Sequence, residues 1–346
     1  MKTYLFAFFA AAGICVAAGA VCIPLLKKRN AQQTILKYVE EHKSKNGTPT
    51  MGGLFFVFAA VAAFLLFGGA KGRVGAVSAV FGAAYMLTGF LDDFIKIRFR
   101  RNEGLKPYQK IVFQVLVGVI AGVFAYRNYL TEVYIPFTRR RVDLGWFSIP
   151  FTAFLFIALS NCVNLTDGLD GLASSSVLGF LLPFTLLLFL QADRSAYLSE
   201  GEYASVVLLN VSLAGALFGF LFFNTNRASV FMGDTGSLAL GGFLAAQSVF
   251  TGNALYVPLF GMVFVASGVS VIIQVLHFKR TGRRVFLMAP LHHHLQHKGI
   301  SEAKISYSYM AVTLIIGFSR GYWVGAAFTG VFTGILCFAL LQLCAA

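Results

Sequence analysis

Five clusters of residues in this sequence have the types and spacing for chemistry on phosphates. Asp92-Asp93 ends an apolar run. Acids at a helix C-terminus oppose the helix dipole, so the pair is either the solvated start of a loop or part of a metal or phosphate site. Asn164-Leu165-Thr166-Asp167-Gly168-Leu169-Asp170-Gly171 joins two further apolar runs. Its Asp-Gly steps suit a plain turn. They equally suit a functional loop, because both of its charges are acids placed between apolar runs, where charge is expensive. Phe231-Met232-Gly233-Asp234-Thr235-Gly236-Ser237 puts Asp234 ahead of another run. There it can cap a helix or join a hard cation that carries phosphates.

His292, His293 and His294 follow Ala289-Pro290-Leu291 and precede His297 and Lys298. Three adjacent His cannot face one zinc from a regular helix, and the segment has no ligands at standard zinc spacing. They read as phosphate donors and proton carriers. Lys43, Lys45 and the run Gly47-Thr48-Pro49-Thr50-Met51-Gly52-Gly53 place glycine backbone next to ammonium groups, which suits phosphate contacts. This is not a Walker A loop, because the Lys precedes the glycines. Lys110 is either a snorkelling anchor or a further phosphate contact.

The elements that position these clusters are membrane helices. The chain is 58% hydrophobic and only 12% charged over 346 residues, and its mean hydropathy is +0.75. An ordinary soluble domain is about 25% charged. Such a chain is a polytopic α-helical membrane protein, read as one domain over residues 1–346, and not a disordered, fibrous or disulfide-rich one. The five Cys form no C-x-x-C pair and read as packed thiols. A spanning helix needs about 20 apolar residues. The uncharged runs are Tyr4–Leu26, Met51–Ala70, Val74–Leu91, Ile111–Tyr126, Leu144–Leu165, Leu172–Ala192, Tyr203–Asn226, Thr235–Leu276, Ile305–Ser319 and Gly321–Ala346. Thr235–Leu276 is long enough for two helices, with Thr251-Gly252-Asn253 as the turn. The last two runs, split only by Arg320, are two spans or one broken one, so ten or eleven spans are expected.

The first run exceeds a signal-peptide core and ends in Lys27-Lys28-Arg29. It is expected to be an uncleaved helix with the N-terminus outside. Alternation then puts 27–50, 92–110, 160–171, 224–235 and 278–304 in the cytoplasm, and these segments hold 19 of the 28 Lys and Arg. The net charge of +14 therefore reads as topology and attraction to anionic head groups and substrates, not to nucleic acid. A small outer hairpin is expected within 130–149, beside Arg139, Arg140 and Arg141. Five acids, three His and several Lys then surround one cytoplasmic mouth. That set suits phosphoryl transfer between a soluble and a lipid substrate, with carboxylates holding a divalent cation.

Taken together and in this order, GTPTMGG (47–53), Asp92-Asp93, NLTDGLDG (164–171), FMGDTGS (231–237) and PLHHH (290–294) resemble the phospho-N-acetylmuramoyl-pentapeptide transferases of peptidoglycan synthesis. The similarity runs to about Ile316. The resemblance implies transfer from UDP-MurNAc-pentapeptide to undecaprenyl phosphate, giving lipid I and UMP with Mg²⁺, by a homodimer in the cell membrane whose site faces the cytoplasm. It implies that Asp234 holds Mg²⁺. Asp92 would deprotonate the lipid phosphate, with Asp93 beside it placing metal or substrate. A two-step alternative makes an Asp a covalent nucleophile. Asn164, Asp167, Gly168, Leu169 and Asp170 would line the uridine pocket. Phe231 would stack on uracil with Lys45, Thr50 and Gln274 nearby, and Lys110 and His292 to His294 would meet phosphates. Two readings compete: a GlcNAc-1-phosphate transferase of the same superfamily, and an anionic-solute transporter. The transporter is disfavoured because the acids sit at span ends on one side and no repeat is visible.

Overall fold

The computed structural model describes residues 1–28, 47–99, 104–138, 140–192, 197–225 and 227–321. Lys43, Lys45, Arg139 and the stretch 322–346, with its open question of a separate span, lie outside the described residues. The long helices are α1 (Lys2–Lys28), α2 (Gly53–Leu66), α3 (Arg73–Arg98), α4 (Pro107–Arg127), α5 (Ser148–Thr166), α6 (Leu172–Ala192), α7 (Glu200–Asn224), α8 (Gly233–Phe250), α10 (Met262–Thr281) and α12 (Glu302–Gly321). The short α9 (Val257–Phe260) and α11 (Leu291–His297) complete them. The expected split of the longest apolar run is present: α8 stops before Thr251, and the chain turns through α9 into α10. The only described strands, β1 (Glu132–Tyr134) and β2 (Arg141–Asp143), pair antiparallel with Val133 opposite Val142. This is the hairpin expected within 130–149. The Tyr134 amide donates to the Gly252 carbonyl at 2.8 Å, which pins it to the turn after α8.

Seven described helices are long and apolar enough to cross a membrane: α1, α3, α4, α6, α7, α10, and α5 with the turn before it. α2 is apolar but has 14 residues, because Gly68 breaks the run in a left-handed conformation (φ 82°). α8 and α12 fall short of that combination of length and apolarity. For α8 the reason is its place. Every residue from Thr235 to Phe250 is buried, so the helix meets protein on all sides and tolerates polar groups that a lipid-facing helix would exclude. It packs between α2, α3 and α5. Gly53 of α2 lies so close to Gly236 of α8 that a Cβ on either would meet the other's backbone. Small residues at such crossings let helix backbones approach.

Two local expectations are corrected. Asp92-Asp93 does not close its helix: α3 runs on to Arg98, and Lys96 and Arg98 answer the dipole at its end. Asp234 does not cap α8 either. It is the second residue of the helix, the cap position is Met232, and no side chain caps it.

The 21 residues of α6 span roughly 30 Å between the hairpin end and the 301 loop. In a chain freed of its natural Cys, Thr138→Cys and Ser301→Cys should therefore label with a membrane-impermeant thiol reagent from opposite sides. Labelling of both from one side would break this sidedness.

Candidate active site

The site forms where the end of α3 meets the start of α8. Gly89 makes this possible: a Cβ there would collide with the Asp234 backbone. The close crossing brings an oxygen of each of Asp92, Asp93 and Asp234 within 4.8 Å of one another. Lys96 stands among them. Its Nζ is 2.6 Å from Asp92 Oδ2, 3.8 Å from Asp93 Oδ1 and 3.0 Å from Asp234 Oδ2. Lys110, on the first turns of α4, reaches Asp234 Oδ2 at 2.7 Å and Asp92 Oδ1 at 3.3 Å. The other oxygen of Asp234 accepts from Asn164 Nδ2 at 2.7 Å, and the same nitrogen meets Ser237 Oγ at 2.8 Å. Asp93 is buried, like Asp92. Its Oδ2 accepts from both the amide and the hydroxyl of Thr235, at 2.9 and 2.7 Å. Asp92 Oδ1 accepts from the Leu105 amide at 2.9 Å.

The segment 47–53 is laced to the start of α8 by three backbone bonds: Phe231 N to Pro49 O, Gly52 N to Phe231 O and Gly53 N to Met232 O, at 2.8, 2.9 and 3.0 Å. Thr50 is buried there. Gly233 has φ 71°, and a Cβ on it would meet both Asp93 Oδ2 and Thr50 Oγ1. The Phe231 ring is half-buried.

In the loop after α5, the two acids differ. Asp167 lies beside the cluster. Burial first, then the neighbouring charges of Asp234, Asp93 and Asp170, hold its carboxyl well above the usual carboxylate range. Asp170 instead braces the fold. Its Oδ2 accepts from the Ala228 amide at 3.0 Å, and its carbonyl accepts from Ser306 Oγ at 3.1 Å. Leu169 is buried.

The three His divide their work. His292 is fully buried under Gly168, and both of its ring nitrogens lack a hydrogen-bond partner among the described residues. Burial, then His293, pushes its imidazole down to about 3. At neutral pH it is a neutral group, not a cation for phosphates. The His293 ring lies 4.4 Å from that of His292, and a Cβ on Gly168 would meet both Nε2 atoms. His294 turns away: its Nδ1 accepts from the Leu287 amide at 3.2 Å. Gln274 lies on the same side, where its Oε1 accepts from the Val285 and Phe286 amides at 3.0 and 2.9 Å.

Of the residues singled out from sequence, Asp92, Asp93, Lys110, Asn164 and Asp234 meet in one cluster, and Asp167 is near enough to feel the charges of Asp93 and Asp234. Gly168, His292 and His293 form the adjoining wall. Asp170, Gln274 and His294 have side chains or loops engaged in bracing contacts. Lys96 is a central residue that sequence reading missed, although its i+4 spacing from Asp92 marks one helix face. Asn224 was missed as well. Its Oδ1 accepts from the Gly171 amide and Ser174 Oγ, both at 3.2 Å, and its Nδ2 donates to Val230 O at 3.1 Å. It clamps the two acidic loops together.

A side chain at 168 must displace two imidazoles, and overpacking costs about 1–3 kcal/mol. Gly168→Ala should lower turnover by up to about a hundredfold, since a misplacement of about 1 Å in a site can cost that much. Gly201→Ala, where a Cβ approaches nothing nearer than 4.0 Å, should not. Equal rates for both would mean the His wall is not part of the site.

Residues 75–252 match the model of Glycosyl transferase family 4. Residues 45–57 match phospho-N-acetylmuramoyl-pentapeptide-transferase signature 1. A phospho-N-acetylmuramoyl-pentapeptide-transferase of Thermoanaerobacter sp. (strain X514) is 41% identical over 308 residues, 89% of this chain and 94% of the relative. That of Caldanaerobacter subterraneus subsp. tengcongensis is 40% identical over 323 residues, 93% of this chain and 99% of the relative. The Clostridioides difficile (strain 630) protein of that name is 40% identical over 309 residues, 88% and 92% of the two. With the family's signature on the segment laced to α8 and its relatives aligned across nearly the whole chain, the protein belongs to the phospho-N-acetylmuramoyl-pentapeptide-transferase family.

Proposed function

We propose that this single-domain, multi-pass protein of the cell membrane transfers phospho-MurNAc-pentapeptide from UDP-MurNAc-pentapeptide to undecaprenyl phosphate at a site facing the cytoplasm, releasing lipid I and UMP. The observation that carries this reading is the convergence of Asp92, Asp93 and Asp234 on Lys96 and Lys110, in a chain whose relatives bear the name of that transferase. In the simplest route a lipid phosphate oxygen bonds to the sugar-side phosphorus, the bond to the bridging oxygen breaks, and UMP leaves with the electron pair. Lys96 and Lys110 are placed to neutralise diphosphate charge. Asp92 is placed to orient or deprotonate the incoming phosphate. Asn164, Asp167, Phe231, Thr50, Lys45 and Gln274 are assigned to the uridine end on the family resemblance. The same resemblance supports a homodimer.

The oxygens fit a hard divalent cation. Three carboxylates against two ammonium groups leave the cluster one positive charge short. Asp234 would hold Mg²⁺, with Asp92 and Asp93 beside it, and the ion would supply charge stabilisation to the diphosphate. Offering UDP-MurNAc-pentapeptide and UDP-GlcNAc separately with undecaprenyl phosphate tests the donor. UMP should appear only with the first, and release from UDP-GlcNAc alone would move the chain to the other branch.

Asp234→Asn keeps shape but removes charge facing two lysines and the cation. Turnover should fall by at least about a hundredfold, because such charge stabilisation is worth several kcal/mol and about 1.4 kcal/mol is tenfold. Folding should persist, because Asp234 does not cap α8. Near-normal turnover at saturating Mg²⁺ would remove Asp234 from the metal.

Asp92→Asn should lower the maximal rate while nucleotide binding stays largely intact. If Asp92 acts as a base, the loss should shrink as pH rises past about 6, because the lipid phosphate is then already dianionic. A covalent Asp predicts otherwise: no recovery at any pH, and exchange of labelled UMP into the UDP-sugar by enzyme stripped of polyprenyl phosphate. Such exchange would overturn direct attack.

A further inference from the structure

A line of polar contacts runs from the His wall to the start of α12. His293 Nδ1 faces Gln296 Oε1 at 3.1 Å, one turn along α11. Gln296 Nε2 donates to Glu302 Oε1 at 3.3 Å, and Glu302 Oε2 accepts from the Asp170 amide at 3.4 Å. The chemistry of the far end sets the near end. An ionised carboxylate only accepts. Gln296 must therefore turn its NH₂ toward Glu302, which leaves its carbonyl oxygen toward His293. A carbonyl oxygen also only accepts, so His293 Nδ1 must carry a hydrogen. In the neutral ring the lone pair then sits on Nε2, the atom packed against Gly168 in the acidic loop. This reverses the tautomer that a free imidazole favours in water.

We infer that Gln296 and Glu302 are positioning residues that lock neutral His293 in its Nδ1–H form and make Nε2 the atom that exchanges a proton with the bound substrate. Nε2 accepts from a ligand when the ring is neutral and donates to it when the ring is protonated. The link to substrate rests on the proposed transferase reading; the tautomer does not.

The test separates the two. The full chain, labelled with ¹⁵N only at its six His, is measured in lipid nanodiscs at a pH where imidazoles are neutral, with His293→Gln assigning the signal. Wild type should show a protonated Nδ1 and a bare Nε2 at His293. Gln296→Leu should return it to the Nε2–H form. Gln296→Glu, whose carboxylate still accepts from Nδ1, should keep the wild-type pattern. Glu302→Gln can offer an N–H to Gln296, so its amide can turn over, and both forms should appear. An Nε2–H ring in wild type, or an unchanged ring in Gln296→Leu, overturns the lock. In UMP release, Gln296→Leu should lose about tenfold in kcat with little change in KM, and Gln296→Glu should restore it. A locked tautomer whose loss leaves kcat unchanged would refute the link to the reaction. A chain that releases no UMP would refute the transferase reading and leave the tautomer result standing.

Discussion

Three carboxylates crowded within 4.8 Å repel one another, and the site persists only because two ammonium groups stand among them. Like charges about 4 Å apart cost about 4 kcal/mol per pair at an effective dielectric of 20. Three such pairs are opposed by five lysine–carboxylate contacts, three from Lys96 and two from Lys110. Attraction therefore wins, and it wins most strongly where Asp234 Oδ2 touches both lysines. The arrangement binds three helices, α3, α4 and α8, through their charges. It also fixes the two cations in advance, so on the proposed reading no large reorganisation is needed when charge develops beside them.

The fold exists to hold that crossing. α8 is buried from Thr235 to Phe250, which is how it carries polar residues such as Thr235 into a bundle, with Asp234 half-buried at its start. Its neighbours approach through Gly53 and Gly89 rather than through large side chains. The loops that complete the site are then tied to α8 or to each other: 47–53 by backbone bonds to 231 and 232, and the loop after α5 by Asn224 and Asp170. Such over-determination holds a polar site rigid at the edge of an apolar core.

Much of this was legible in the sequence, and the parts that were not share a cause. Apolar runs mark the long helices, because burial in lipid imposes length and composition directly, while Thr251-Gly252-Asn253 marks the turn and the loosely alternating stretch around Pro136 marks the hairpin. Asp92, Asp93, Asp167 and Asp234 stood out because acids beside apolar runs demand a reason. Lys96 did not stand out, because lysine at a span end has an ordinary explanation and the end of α3 was placed at the acids instead of six residues later. The bracing roles of Asp170, Gln274 and Asn224 include partners 12, 53, 58 and 136 positions away, which no local pattern encodes. α8 read as an ordinary span because sequence cannot say whether a helix faces lipid or protein.

The His triplet shows how far one helical turn can divide labour. Successive residues on a helix point about 100° apart, so a run of three cannot serve one ligand. His292 goes inward, His293 faces the acidic loop and Gln296, and His294 takes the Leu287 amide. The innermost has no partner for either nitrogen among the described residues. A buried imidazole without partners is costly in isolation, and neutrality is the state that makes the cost bearable. His292 therefore contributes shape and a single neutral N–H at the wall. His293 is the ring of the turn that meets both an amide and the acidic loop, its Nδ1 on Gln296 and its Nε2 toward Gly168.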